Sequence, residues 1–213
     1  MSPSVRNGAV VTVLTSAFLL ASGSASHAQG ACTGDAGGLT LSPGFCATVF
    51  ADKLGHARHM AVAANGTVYV NTWSGTYYHN DTLPPGGMLV ALKDGKGSGK
   101  ADQVTRFGGS HGQGDGGGTG IALYKDYLYA ETNDRIVRYP LPQDGAAPTG
   151  KPETVVSGMP MGGDHPMHPF GIAPDGSLYV DMGSATNACQ QQNRMPGATG
   201  NNPCTELETR AGI

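Results

Sequence analysis

A hairpin motif recurs three times along the chain, and this repeat limits the possible folds more than any other feature. The copies are MAVAANGTVYVNT (residues 60–72), GIALYKDYLYAET (120–132) and GIAPDGSLYVDMG (171–183). Each joins two apolar segments through a polar tip and carries a tyrosine in the same place: Tyr69, Tyr129 and Tyr179. Apolar alternation around a turn that tolerates positive φ predicts an antiparallel β-hairpin.

Two stretches between the copies, residues 86–107 and 134–159, indicate further pairs of strands around Gly-rich turns. Four antiparallel strands per unit are typical of a β-propeller blade. The sequence therefore predicts an all-β fold with about three propeller blades. Solenoids and sandwiches are the alternatives, but a sandwich does not need a hairpin motif at near-constant spacing. The 34 glycines and the low charged fraction of 14% agree with many turns and few helices.

Three blades are too few to close a ring, since propellers have roughly four to eight. The sequence stops at TELETRAGI, where the alternation of Glu206, Glu208 and Arg210 predicts the start of a strand. An open strand edge there would invite aggregation. We therefore expect residues 29–213 to be the N-terminal part of a longer propeller domain. The alternative is a short protein whose edges pair in an oligomer.

The first 28 residues have the pattern of a secretory signal peptide. Arg6 precedes an apolar run over residues 9–21, and Ser26-His27-Ala28 forms a small-residue cleavage site. The run is shorter than the about 20 residues that a membrane-spanning helix needs. We expect cleavage after Ala28 and a periplasmic or secreted protein with no later membrane span. An uncleaved N-terminal anchor is the alternative.

The chain has four cysteines, in two local pairs: Cys32 with Cys46, and Cys189 with Cys204. An even number in an exported chain predicts disulfide bonds. The simplest connectivity follows the local pairs, although four cysteines allow three pairings. A metal site is the alternative, but neither pair has CxxC spacing and no histidine is near enough to complete a zinc site.

Composition disfavours nucleic acid and nucleotide ligands. The net charge is −3 and there is no basic block, whereas phosphate binding requires clustered Lys and Arg. The Gly-rich segment GGSHGQGDGGGTG (108–120) lacks the Gly-Lys-Ser/Thr ending of a phosphate-binding loop, and no helix follows it.

Two histidines, His165 and His168, precede the third hairpin in GDHPMHPF (163–170), and two prolines stiffen this loop. A neutral imidazole can accept a proton near neutral pH. The functional interpretation places His165 in a central funnel as a base; the structural alternative is a corner histidine bonded to backbone. His168 is expected to be structural or to support a neighbouring site residue. His56, Arg58 and His59 precede the first hairpin at the corresponding position and are predicted to line the same funnel, with a solvated corner as the alternative.

Taken together, residues 41–70, 118–142, 163–190 and 204–213 resemble the glucose/sorbosone dehydrogenase family, and most of all its L-sorbosone dehydrogenase branch. The resemblance implies a six-bladed propeller with pyrroloquinoline quinone (PQQ) on its top face and Ca²⁺ beside the quinone. It also implies oxidation of a sugar or aldose in the periplasm, with electrons passed to a periplasmic acceptor.

The resemblance implies that Asp164-His165 is the catalytic pair, with His165 as general base. The glucose-oxidising branch has Gly-Asp where this chain has Gly183-Ser184, so the carboxylate that orients the imidazole would have to be Asp181 or Asp164. That branch also has a glutamine where this chain has glycine in the loop 111–120. The candidate substrate contacts here are Gln113, His111, Asp115 and Arg58, which favours a substrate other than glucose.

The family's cofactor-binding arginines and lysine, and its Ca²⁺-binding carbonyls, are expected downstream of Ile213. We therefore predict that the 213-residue chain alone binds PQQ poorly and is inactive. Two other functions stay open. A propeller lactonase or hydrolase would need carboxylates around a divalent ion, for which Asp164 and Asn187 are available but too few. A non-enzymatic binding propeller would keep the fold and lose the base.

Overall fold

The computed structural model describes residues 34–73, 84–109, 117–144 and 147–213. Several sequence predictions fall outside these ranges and stay predictions: the signal peptide 1–28, Cys32, His111, Gln113 and Asp115. No helix among the described residues is long and apolar enough to cross a membrane.

Ten strands form three antiparallel sheets in this part of the chain, and each sheet follows the order of the sequence. The first sheet contains β1 (Ala57–Val62), β2 (Val68–Thr72), β3 (Leu89–Lys93) and β4 (Gln103–Phe107). The second contains β5 (Ile121–Tyr124), β6 (Tyr127–Thr132), β7 (Arg135–Pro140) and β8 (Glu153–Val156). The third contains β9 (Phe170–Ile172) and β10 (Leu178–Val180). A 3₁₀ helix covers Thr205–Glu208.

The three repeated hairpins of the sequence are β1–β2, β5–β6 and β9–β10. The two intervening pairs, β3–β4 and β7–β8, complete the first two sheets as four-stranded meanders. Stacked meanders of this kind are propeller blades. The predicted all-β propeller class with about three blades is therefore confirmed, and the third blade has two strands in the described ranges.

Each pair of neighbouring sheets encloses its own apolar core. Tyr69, Leu89 and Phe107 of the first sheet meet Leu128 and Val137 of the second. On the opposite face of the second sheet, a separate core packs this sheet against the third; its members include Tyr129, Ile136, Phe170, Leu178 and Val180. Burial of apolar area stabilises these contacts by about 25 cal/mol per Å².

The repeated tyrosine marks the face of each sheet that meets the next sheet along the chain. Tyr69 is 1% exposed and Tyr129 is 8% exposed, since each is covered by the following sheet. Tyr179, at the same position of β10, is 57% exposed. The tyrosine spacing in the sequence therefore follows the stacking of the sheets.

The disulfide Cys189–Cys204 is present, with Cα atoms 6.1 Å apart, as the simplest connectivity predicts. Cys46 is also disulfide-bonded, and its predicted partner Cys32 lies outside the described residues. Sulfur atoms of Cys189 and Cys204 cluster with the Glu206 carboxylate. Because those sulfurs are bonded to each other, they are not metal ligands, and the alternative of a cysteine metal site fails for this pair.

The strand predicted from Glu206, Glu208 and Arg210 is wrong. Thr205–Glu208 forms a 3₁₀ helix, in which the Glu206 carboxylate accepts hydrogen bonds from the Thr186 backbone N–H at 2.8 Å and from its hydroxyl at 2.7 Å. The Arg210 guanidinium donates to the carbonyl oxygens of Met161 and Gly162 at 3.0 and 2.9 Å. These side chains anchor the segment to neighbouring loops instead of forming an ion-pair ladder.

Candidate functional site

A cleft of about 490 Å³ opens where the first strands of the three sheets begin. β1, β5 and β9 lie side by side, as inner strands of adjacent blades do. We call this opening the inner-strand cleft; its polar lining consists of Arg58, His59, Thr119, His165, Asp181 and Ser184. The structure thus brings His165 together with Arg58 and His59, which precede it by more than a hundred residues in the sequence.

Backbone hydrogen bonds hold the loop that carries His165 against the segment after β10. The N–H of Asp164 donates to the Ala185 carbonyl at 2.9 Å, and that of His165 donates to the Ser184 carbonyl at 3.2 Å. At the other end of the loop, the Asp181 N–H donates to the Pro169 carbonyl at 2.9 Å. The loop therefore extends the β9–β10 hairpin, which fixes its position at the cleft.

The His165 side chain is partly buried and lines the cleft. Its imidazole makes no hydrogen bond to any residue in the described ranges. Both ring nitrogens are therefore available to a ligand, which a histidine used only to stabilise a corner would not offer.

Asp164 has a different position from that expected of a partner for His165. Its Oδ2 accepts hydrogen bonds from Asn193 Nδ2 at 2.7 Å and Arg194 Nε at 3.0 Å. The Asn193 hydrogen bond and the Arg194 charge hold the pKa of the Asp164 carboxyl below its ordinary value. This carboxylate is not part of the cleft lining. Asp181 does line the cleft but makes no hydrogen bond to His165, whereas an electrostatic interaction with His165 is among the causes that lower the pKa of the Asp164 carboxyl.

His168 is buried and structural, as expected. Its backbone N–H donates to Glu131 Oε1 at 2.8 Å, and its Nδ1 lies 3.1 Å from the same oxygen. Because a carboxylate oxygen accepts and does not donate, Nδ1 carries the proton in this contact. His168 thus ties the His165 loop of the third sheet to β6 of the second.

The Glu131 carboxylate is 2% exposed and also holds the opposite wall of the cleft. Its Oε2 accepts from the Thr119 N–H at 2.7 Å, the Thr119 hydroxyl at 3.0 Å and the Gly120 N–H at 2.8 Å. Burial alone would raise the pKa of the Glu131 carboxyl, but hydrogen bonds from His168, Gly120 and Thr119 outweigh that effect and hold the pKa below its ordinary value.

Asn71 extends these contacts to the first sheet. Its amide donates to the carbonyl oxygens of Gly120 and Glu131, both at 2.9 Å, and accepts from the Gly118 N–H at 3.1 Å. We call the whole set the Asn71–Glu131–His168 network. It joins all three sheets directly beneath the inner-strand cleft.

Sequence reasoning missed this network, although the repeat contains its signal. Asn71, Glu131 and Asp181 each stand two residues after the repeated tyrosine. A polar residue at that position of a strand with buried neighbours indicates a buried hydrogen-bonded group or a site residue. In the first two copies the residue belongs to the network, and in the third it lines the cleft.

Gly183 lets the segment after β10 approach the His165 loop. A Cβ at this position would collide with the His165 carbonyl oxygen. We expect Gly183→Ala to lower the free energy of unfolding by about 1–3 kcal/mol, because the backbone must shift to relieve the overlap. Urea denaturation measures the change. Gly171→Ala is the matched control, since a Cβ there meets nothing within 4 Å; equal stability of the two variants would contradict the close packing.

The cleft offers only part of what a quinone and calcium site would require. Among the described residues its lining has one guanidinium, Arg58, and one carboxylate, Asp181. Arg58 suits one acidic group, whereas PQQ carries several carboxyl groups. Among the described residues, the one group of three His, Cys, Asp or Glu ligand atoms contains the disulfide sulfurs, so these residues form no carboxylate cluster for Ca²⁺. The Ca²⁺-binding carbonyls stay a prediction.

No family model and no curated protein matches the chain. Among solved structures, it is similar to the PQQ domain of pyranose dehydrogenase from Coprinopsis cinerea, with a TM-score of 0.54 and 15% identity over 70% of this chain and 33% of that one. The fold is that of a β-propeller. The chain spans about a third of that neighbour's length.

Two further solved structures are similar at lower scores. The PQQ-bound aldose sugar dehydrogenase of Streptomyces coelicolor has a TM-score of 0.42 and 24% identity over 71% of this chain and 44% of that one. A Trichoderma reesei carbohydrate-active enzyme of family AA12 has a TM-score of 0.47 and 18% identity over 65% of this chain and 33% of that one.

Proposed function

We propose that the inner-strand cleft belongs to a PQQ-dependent oxidoreductase that oxidises a sugar or aldose, with His165 as its general base. The observation that carries this proposal is the position of His165 at the mouth of the inner strands, with an imidazole that bonds to no described residue. The shared propeller fold with a PQQ domain and the resemblance in the hairpin motifs support it. A sorbosone-like aldose is the proposed substrate.

The chemistry requires a base at this place. Oxidation of a hydroxyl, or of an aldehyde hydrate, removes a proton from oxygen and a hydride from carbon, leaving a carbon–oxygen double bond. A ring nitrogen of His165 takes the proton. PQQ, when bound, supplies the hydride acceptor. Asp181, Thr119 and Ser184 line the same cleft and can bond to sugar hydroxyls, which would hold the reacting carbon in place.

The remaining elements of the proposal have no counterpart among the described residues. They are the substrate contacts Gln113 and Asp115, the other PQQ and Ca²⁺ ligands, export by the signal peptide, and a periplasmic electron acceptor. Asp164 stays a proposed catalytic residue only as a carboxylate next to His165 in sequence. Its contacts with Asn193 and Arg194 favour a role in holding the loop.

The test measures dye reduction by the full-length gene product, with PQQ and Ca²⁺ added separately and together. We expect reduction with L-sorbosone or another aldose only when PQQ is present, and none from the 213-residue chain alone. Lactone hydrolysis that depends on a divalent ion would instead favour the hydrolase, and sugar binding without either reaction would favour a binding propeller. Activity without PQQ would overturn the proposal.

A further inference from the structure

Arg58 contacts an aromatic ring at the inner-strand cleft. Its guanidinium carbon lies 5.6 Å from the centre of the Trp73 ring, within the range of a cation–π interaction. Trp73 is buried, with 6% exposure, and its backbone N–H donates to the His56 carbonyl at 3.1 Å. A guanidinium over an indole can still use its planar N–H donors to bind a ligand.

This guanidinium has no acidic partner in the part of the chain that the structure describes. The other arginines with side-chain contacts are paired with a carboxylate or with backbone carbonyls, as Arg138 is with Glu153 at 2.8 Å. Asp181 lines the same cleft but forms no ion pair with Arg58. An acidic group on a ligand would supply the carboxylate partner that Arg58 lacks among the described residues.

We propose that Arg58 is a carboxylate anchor, so that the small molecule reaching His165 carries an acidic group. Planar guanidinium donors match the two oxygens of a carboxylate, which gives short, charge-assisted hydrogen bonds. The identity of that molecule rests on the proposed function: it is either a sugar acid, such as an aldonate or a uronate, or the quinone through one of its carboxyl groups. The chemistry that Arg58 recognises is the same in both cases.

Trp73 provides the measurement, because it is the one tryptophan of the chain and lies beneath Arg58. Tryptophan emission is titrated with glucuronate and gluconate, and with uncharged glucose for comparison. Equilibrium dialysis measures PQQ binding by the full-length gene product, because the 213-residue chain alone is predicted to bind PQQ poorly. Arg58→Gln should weaken binding of the acidic ligand by about 10- to 100-fold, the range for loss of a hydrogen-bonded charge. Arg58→Lys should recover part of the lost affinity, since the lysine ammonium keeps the positive charge but lacks the planar pair of N–H donors.

Arg135→Gln is the matched control, because Arg135 pairs with its neighbour Asp134 at the surface, away from the cleft. Circular dichroism shows whether the variants are folded. If the short chain does not fold, dialysis of the same variants in the full-length gene product replaces the titration.

Each result has a defined meaning. Glucuronate binding that depends on Arg58 identifies a sugar acid, and PQQ binding alone that depends on Arg58 identifies the quinone carboxylate. The proposal that Arg58 anchors a carboxylate is overturned if Arg58→Gln leaves the binding of glucuronate and of PQQ unchanged. It is also overturned if the protein binds glucose but no acidic ligand. Arg58-dependent binding of glucuronate by a protein that reduces no dye with PQQ keeps the anchor and rejects the proposed function, so the two can fail separately.

Discussion

Replacing His165 with alanine is expected to lower kcat for PQQ-dependent aldose oxidation by about 10²- to 10⁴-fold, the range for loss of a general base. The side chain lines the cleft and bonds to no described residue, so its removal should leave the packing of the loop intact. The substrate's binding should change much less than the rate. Steady-state kinetics of the full-length gene product, with PQQ saturating, measures both.

Two further measurements distinguish a base from a structural residue. Loss of the base should remove the acid limb of the kcat/KM profile, and added imidazole should restore part of the rate to His165→Ala. His56→Asn is the matched control, because His56 directly precedes β1 but, unlike the predicted funnel residues Arg58 and His59, does not line the cleft. A rate in His165→Ala within a few-fold of the unchanged protein would show that His165 is not the base.

The local features of this fold could be predicted from the sequence because turn chemistry and alternation act over a few residues. The Asp175-Gly176 tip fixes the β9–β10 hairpin in this way: the Asp175 carboxylate accepts the Ser177 N–H at 2.9 Å, and Gly176 has a φ of 95°. Cys189 and Cys204 are close in sequence, so their pairing could also be predicted. Each of these depends on neighbours within about one hairpin.

The cleft depends on contacts between distant residues, and these were only partly predictable. Asn71 reaches the carbonyl of Glu131 sixty positions away, and no local pattern encodes that distance. The repeat nevertheless indicated where the cleft lies, since residues that precede each of the three hairpins line it. The resemblance implied that Asp164, which precedes His165 in the sequence, is the carboxylate partner of the imidazole. The structure shows that the Asp164 carboxylate instead accepts hydrogen bonds from Asn193 and Arg194, 29 and 30 positions away, which adjacency in the sequence does not reveal.

The terminal segment shows the same difference. Alternating charges over Glu206, Glu208 and Arg210 suit a strand as long as only the segment is considered. The Glu206 carboxylate instead satisfies two donors of Thr186. A side chain that satisfies partly buried polar groups elsewhere can outweigh a weak local preference.

The largest expected change in stability is that of Glu131→Ala, a loss of about 3–5 kcal/mol in the free energy of unfolding. Its carboxylate is buried and accepts hydrogen bonds from Thr119, Gly120 and His168. Removing it leaves these donors unpaired, and the loss resembles that of breaking a buried ion pair. Urea denaturation at neutral pH measures the change. Glu153→Ala is the control, since Glu153 is a surface carboxylate paired with Arg138 and exposed pairs contribute little.

The pH dependence of the Glu131 contribution follows from the direction of its pKa shift. The pKa of this carboxyl is lower in the folded protein than in the unfolded chain. The stabilisation from its ionised form is therefore fully present above the unfolded value, near about 4.3, and is lost as the pH falls through the lower folded value. The stability gap between the unchanged protein and Glu131→Gln should be constant from about pH 6 to about pH 7, where the carboxyl is ionised in both the folded and the unfolded chain, and should narrow in acid. A stability gap that widened in acid would contradict this prediction. It would mean that burial raises the pKa of Glu131 more than the hydrogen bonds lower it, so that the carboxyl joining the three sheets is neutral.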